Sequence, residues 1–193
     1  MSQMRGMQSA ELEREVYIAA GASVAGKKEG EGPLSEKFDI VCQDPMFGQD
    51  SWEMAESTMQ AMAAKKALEK EGLNPSAVRC VFAGDLLGQL IATSFGMEKL
   101  DIPLLGLYGA CSTCGEALAL AAVMVSGGFA DYAMALTSSH FASAEKQFRF
   151  PLEYGNQRPL SATWTVTGSA AFILSDKPGK VKITGITVGR VVD

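Results

Sequence analysis

The chain has 193 residues, 17 Lys and Arg against 22 Asp and Glu, and a formal net charge of -5. That length suffices for one domain with a full core, and the charge is spread along the chain without the basic stripe that nucleic acid or an anionic membrane surface would require. Apolar residues make up 47% of the chain, yet no apolar run reaches the roughly 20 residues of a transmembrane helix.

The N-terminus, MSQMRGMQSAELEREVYIAA, lacks the apolar core and small-residue cleavage site of a signal peptide. Residues 1–14 read as an irregular lead-in, and 15–193 as the folded unit. Residues 15–20, EVYIAA, form a β-rich run, followed by the Gly- and charge-rich loop GASVAGKKEGEGPL. Ser51 is placed to cap a helix that opens with Trp52, carries apolar residues at Met54, Met59, Met62, Ala63 and Leu68, and stops at Gly72. Residues 78–83 are predicted as a strand. A turn and a Gly-weakened helix follow across GDLLGQLIATSFGMEKL, and then a strand over 103–108, apolar enough to be buried on both faces. A third helix runs from about Ser112 to Ser126 and stops at Gly127-Gly128. A strand over 130–137, a polar stretch over 138–161, a strand over 169–175 and a strand-like run from Val181 complete the pass.

Strands alternating with helices specify an α/β fold, a mixed and mostly parallel five-stranded sheet with helices on both faces. The third helix adds a constraint. ALALAAVMV has no polar face over two turns, and a helix apolar all round is buried on all sides. A second domain or a partner subunit is expected to cover it, which makes this chain one half of a larger architecture.

Cysteine usage narrows the chemistry. Of Cys42, Cys80, Cys111 and Cys114, only the last two are close in sequence, so there is no disulfide framework and a reducing compartment is the simpler assumption. Cys111-Ser112-Thr113-Cys114 admits four readings. Structural zinc needs four ligands, and the chain has one His, His140, and no second pair. A redox pair also sits at a helix start after a strand, but the flanking Trp and Pro of such motifs are absent. Both cysteines can be small core residues, the reading that suits Cys114 one turn inside the helix. Alternatively Cys111 lies on a tight strand-to-helix turn where the helix dipole and free N–H groups favour a thiolate or a bound anion, the geometry of a nucleophile or of a carboxylate cradle.

Gly109-Ala110-Cys111-Ser112-Thr113, the apolar helix behind it and Gly127-Gly128-Phe129-Ala130-Asp131 before a strand resemble the nucleophile region of the thiolase superfamily, which includes the ketoacyl synthases. The resemblance implies two halves packed as five layers, with the nucleophile helix in the middle. Further runs are similar to the stage V sporulation protein AD family: Gly32-Pro33-Leu34, Trp52-Glu53-Met54-Ala55-Glu56, Ala83-Gly84-Asp85-Leu86-Leu87, Thr137-Ser138-Ser139-His140, Glu145-Lys146-Gln147-Phe148-Arg149-Phe150-Pro151, Glu153-Tyr154-Gly155 and Thr165-Val166-Thr167-Gly168-Ser169. They span nearly the whole chain, which resembles the N-terminal half of that family. The catalytic His that a thiolase draws from its second half has no counterpart here.

The resemblance implies a sporulation protein that binds dipicolinic acid (pyridine-2,6-dicarboxylate), free or as its calcium chelate, and supports its uptake into the developing spore. It implies no cofactor, a peripheral place at the forespore inner membrane, and as partners the other sporulation stage V proteins of an inner-membrane complex, with a homodimer or a second-half domain covering the apolar helix. The expected ligand-binding residues are Asp85, Cys111, Ser112, Ser139, His140 and Arg149, at strand ends and the helix start where open α/β sheets bind ligands. Each has a plainer role open to it: Asp85 as a helix cap, His140 as a loop residue, Arg149 as a surface charge, and Trp52 and Trp164 as core. The alternative function is a ketoacyl-synthase-like acyltransferase with Cys111 as its nucleophile.

Overall fold

The computed structural model describes residues 4–149, 161 and 163–192. The chain opens with β1 (Met4–Arg5), β2 (Ser9–Ala25), a single helical turn α1 (Lys27–Gly30) and β3 (Ile40–Val41). Next come α2 (Trp52–Glu71), β4 (Cys80–Gly84), α3 (Ile91–Glu98) and β5 (Leu104–Gly106). The remainder is α4 (Thr113–Ser126), β6 (Tyr132–Ser139), α5 (Phe141–Phe148), β7 (Gly168–Ser175) and β8 (Val181–Thr187).

One mixed sheet runs β1-β2-β7-β6-β4-β5, with β3 and β8 also paired to β2. β5, β4 and β6 are parallel, whereas β7 runs antiparallel between β6 and β2. The order of the main strands and helices is the expected one, and helices cover both faces. Among the described residues the sheet holds eight strands rather than five, because two-residue ladders form at β1 and β3 and β8 adds to β2.

Strand alternation divides the core in two. Val81 and Ala83 of β4 and Met134 and Leu136 of β6 turn to α2, whose Ala55, Met59, Ala63 and Ala67 are fully buried against them. Cys80 and Phe82 of β4 and Ala133 and Ala135 of β6 turn to α4, whose Ala117, Ala121, Ala122 and Val125 lie close on the sheet. Small residues on α4 allow that close approach. The ends of α2 are as the sequence predicts: Ser51 Oγ accepts from the Met54 N–H at 3.3 Å, and Gly72 takes φ 70°.

Three expectations are corrected. Residues 9–14 are not an irregular lead-in but the first part of β2, held by β8, whose pairing partner lies more than 160 residues away in sequence. The polar stretch over 138–161 contains α5, a short amphipathic helix that buries only Ser143 and Ala144. The strand expected over 103–108 is limited to Leu104–Gly106 and is exposed, because β5 ends the sheet and pairs with β4 alone. On the outer face of α4, which a second domain or partner subunit is expected to cover, Leu120 and Val123 are exposed.

Candidate functional site

The carboxyl ends of β4, β6 and β2 and the start of β7 meet at one edge of the sheet. Gly84 makes this convergence possible. A Cβ at that position would lie 2.1 Å from the Leu107 carbonyl oxygen and 2.7 Å from Thr113 Cγ2, so the end of β4, the segment after β5 and the start of α4 can close only on glycine. The turn into α4 is a short 3-10 segment over 110–112, and Ala110 there takes φ 49°, a left-handed conformation that a side chain disfavours. Thr113 Oγ1 accepts from the Gly109 N–H at 3.0 Å and Ser112 Oγ donates to the Gly109 carbonyl at 2.7 Å, which ties the turn down. Cys111 is thereby left exposed at the helix start, with Cys114 half-buried behind it.

In front of this turn lies a pocket of about 340 Å³, lined among others by Cys111, Cys114, Ser138, Ser139, Ser169 and Glu29. Among the described residues, Glu29 is the one charged side chain in that lining. Its Oε1 accepts from the Thr167 N–H at 3.1 Å, while Oε2 is buried without a hydrogen-bond partner among the described residues.

The structure brings Cys111 and Ser139 to the pocket and holds the other expected residues elsewhere. Ser139 Oγ donates to the Val166 carbonyl at 2.6 Å. Ser112 shares the turn, with its hydroxyl turned back to Gly109. Asp85 is buried and saturated: Oδ1 accepts from the Leu87 N–H, and Oδ2 accepts from both the N–H and the hydroxyl of Thr93 at 2.8 and 2.6 Å. It fastens the start of α3 to the end of β4. His140 is 2% exposed and uses both ring nitrogens, Nδ1 accepting from the Ala142 N–H at 3.1 Å and Nε2 lying 2.8 Å from the Pro45 carbonyl. That pairing is the neutral Nε2–H tautomer, and burial pushes the ring's pKa down, against the hydrogen bond to Pro45 and the charge of Glu29. Arg149 pairs with Glu145 on its own helix at 2.7 Å. Pro151, Glu153, Tyr154 and Gly155 of the family-like runs lie outside the described residues.

Two tryptophans expected in the core border a second pocket of about 510 Å³ instead. Trp52 packs on His140, and Trp164 stacks on Phe141 with ring centroids 4.0 Å apart and planes 5° from parallel.

Sequence reasoning missed a polar cluster directly behind the first pocket. Glu56 and Gln60, one turn apart on the buried side of α2, are both fully buried. Glu56 Oε1 accepts from Ser138 Oγ at 2.7 Å and Oε2 from Ser143 Oγ at 2.6 Å. Gln60 Nε2 donates to Ser138 Oγ at 2.8 Å, to Thr93 Oγ1 at 2.9 Å and toward the Gly84 carbonyl at 3.3 Å. Burial pushes the Glu56 carboxyl up to about 7, with the charges of Asp85 and Glu53 adding to the rise and the Ser143 and Ser138 hydroxyls opposing it. The available signal was the spacing: Glu56 and Gln60 stand i, i+4 beside the buried Ala55, Met59 and Ala63.

The fold is similar to that of the thiolase-like ketosynthases. A priming β-ketosynthase of a polyketide biosynthetic pathway superposes with a TM-score of 0.54 at 16% identity, over 91% of this chain and 54% of that one. An OleA variant from Xanthomonas campestris gives 0.58 at 18% identity over 86% of this chain and 59% of that one. The 3-oxoacyl-(acyl carrier protein) synthase III of Xanthomonas oryzae gives 0.56 at 17% identity, over 84% and 56%. These likenesses show the architecture alone.

The chain belongs to the stage V sporulation protein AD family, whose model matches residues 6–193. Stage V sporulation protein AD of Bacillus subtilis (strain 168) is 44% identical over 190 residues, which cover 98% of this chain and 56% of that protein. The chain thus spans little more than half the length of the relative it matches. Among the described residues, no helix is long and apolar enough to cross a membrane, and no group of three or more His, Cys, Asp and Glu could hold a metal ion.

Proposed function

We propose that this sporulation protein binds dipicolinic acid, free or as its calcium chelate, in the pocket beside Cys111 and supports its uptake into the developing spore. In this reading it acts at the forespore inner membrane as a peripheral member of a complex with other sporulation stage V proteins. The pocket carries the reading. It is a slot of about 340 Å³ at converging strand ends, with the start of α4 on one wall and serine hydroxyls on another. A flat aromatic dicarboxylate needs a narrow slot and a few fixed donors, and a helix start offers N–H groups and a favourable dipole. Equilibrium titration of the full-length protein with pyridine-2,6-dicarboxylate, with and without calcium, is expected to saturate in the micromolar to millimolar range. No saturable binding in either arm overturns the proposal. Cys111→Ala tells whether the thiol takes part: retained affinity leaves a site without it.

A second reading rests on the exposure of Cys111 at a strained helix start, where an incoming acyl group can reach the thiol. It makes the protein an acyltransferase that draws its general base from outside this chain, since both ring nitrogens of His140 are engaged. Iodoacetamide that labels Cys111 no faster than the other three cysteines would end that reading.

The apolar outer face of α4 supports covering by a second-half domain or a second copy. A sizing column on this chain alone is expected to show self-association, and a monodisperse monomer would contradict it.

A further inference from the structure

The described surroundings of the pocket are negatively charged. Glu29 is in the wall, Glu56 and Asp85 lie behind it, and among the described residues no Lys or Arg lines the pocket. A dianion entering this site needs compensating positive charge.

The hydrogen bonds around Glu56 are arranged for two protonation states. Ser143 Oγ lies 2.6 Å from Glu56 Oε2 and 3.0 Å from the His140 carbonyl oxygen. A hydroxyl has one hydrogen. With Glu56 ionised, Ser143 donates to the carboxylate. With Glu56 neutral, the acid donates to Ser143, which turns its own hydrogen to His140. Both states are fully bonded, so protonation needs only a hydroxyl rotation and no rearrangement of the backbone. On its other oxygen Glu56 holds Ser138, which lines the pocket, and Ser138 in turn accepts from Gln60.

The groups facing Glu56 come from every side. Glu53 and Gln60 share its helix, and Ser138 stands on β6. Asp85 with Thr93 closes the end toward α3. Ser143 stands on α5, where Lys146 is spent on Glu53 at 2.6 Å. Among the described residues, none supplies a free cation to hold Glu56 ionised.

Resting on the dicarboxylate reading, we propose that Glu56 is a proton-carrying positioning residue behind the pocket. Binding of the free dianion takes up one proton from solvent at Glu56, and release of the anion returns it. Neutral Glu56 removes one negative charge from behind the pocket while keeping Ser138 in place. Binding by the free anion therefore weakens as pH rises, by up to tenfold per pH unit once Glu56 is ionised in the empty protein.

The test is calorimetric titration of the full-length protein with calcium-free pyridine-2,6-dicarboxylate at pH 5.5, 7 and 8. Each titration is run in two buffers of different ionisation enthalpy. The anion keeps both carboxylates ionised over this range, so it contributes no pH dependence of its own. Proton uptake near zero at pH 5.5 and approaching one per anion at pH 8 is expected. Glu56→Gln, whose amide can donate to Ser143 and accept from Ser138, is expected to flatten the pH profile and abolish the uptake. A merely structural role would weaken binding equally at every pH.

Saturable binding without uptake at pH 8, or the same pH profile in Glu56→Gln, overturns the inference and leaves the dicarboxylate reading standing. Binding that requires calcium does the same, because the metal then supplies the charge. No binding in either the free or the calcium arm removes both.

Discussion

The two helices that flank the sheet solve burial differently. α2 is a 20-residue helix with a sealed inner row, Ala55, Met59, Ala63 and Ala67, and an outer face with the exposed Lys65, Glu69 and Lys70. α4 also has a sealed inner row, Ala117, Ala121, Ala122 and Val125, but its outer side presents Leu120 and Val123. At the sheet edge, Leu104 and Leu105 of β5 and Tyr108 beyond it are exposed as well. A helix that ends the molecule shows polar groups to water, while one that is an inner layer does not. The outer face of a helix, more than its inner face, therefore tells how many layers an architecture has.

That contrast can be broken at several points, with effects of falling size. Met59→Ala removes a fully buried side chain between α2 and the sheet and is expected to cost about 2–5 kcal/mol in a denaturant titration. Gly84→Ala drives a Cβ into the Leu107 carbonyl and is expected to cost about 1–3 kcal/mol, since backbone rather than a flexible side chain must move. Retention of wild-type stability would show that the strand ends are not locked together as described.

The Glu56 carboxyl makes the α2 side sensitive to pH even with no ligand present. Its folded pKa is raised from 4.5 to about 7. The stability tied to its protonation is thus complete below pH 4.5 and lost as pH rises to about 7, a span worth on the order of 3 kcal/mol. The buried His140 works in the opposite sense, since its lowered pKa means stability present above its ordinary value and lost as pH falls. Denaturation midpoints of wild type and Glu56→Gln measured from pH 4.5 to 8 should separate the two, with the decline toward pH 8 absent from the variant.

Ser51→Ala removes one cap and is expected to cost about 1 kcal/mol. Val123→Ser on the outer face of α4 is expected to stay within about 0.5 kcal/mol in this chain while reducing self-association on a sizing column. A large loss of stability there would mean that the outer face is already packed.

Local signals were legible wherever one short segment sets them. Ser51 and Gly72 bound α2, and Gly127-Gly128 closes α4, because caps depend on the residues beside them. The turn at Cys111 was legible for the same reason. The polar cluster was not. Asp85, Thr93, Ser138 and Ser143 lie 29 to 87 residues from Glu56 along the chain, and no periodicity links them. His140 and Asp85 looked like pocket residues because they follow strand ends, but following a strand does not set the direction of a side chain. His140 turns to the Pro45 carbonyl, 95 residues away along the chain, and Asp85 to the N–H and hydroxyl of Thr93 at the start of α3.

By itself the sequence determined the alternation of strands and helices, the caps, the Cys111 turn, the family and the apolar character of α4, all of which rest on near neighbours or on composition along one element. Only the tertiary structure decided that residues 9–14 are strand, that β5 is an exposed edge, that Asp85 and His140 are structural polar groups, and that a carboxyl held near pH 7 stands behind the pocket. The physical reason is common to these cases. Pairing register, side-chain direction and desolvation are properties of segments brought together from distant parts of the chain, and burial acts on a group only once its neighbours have arrived.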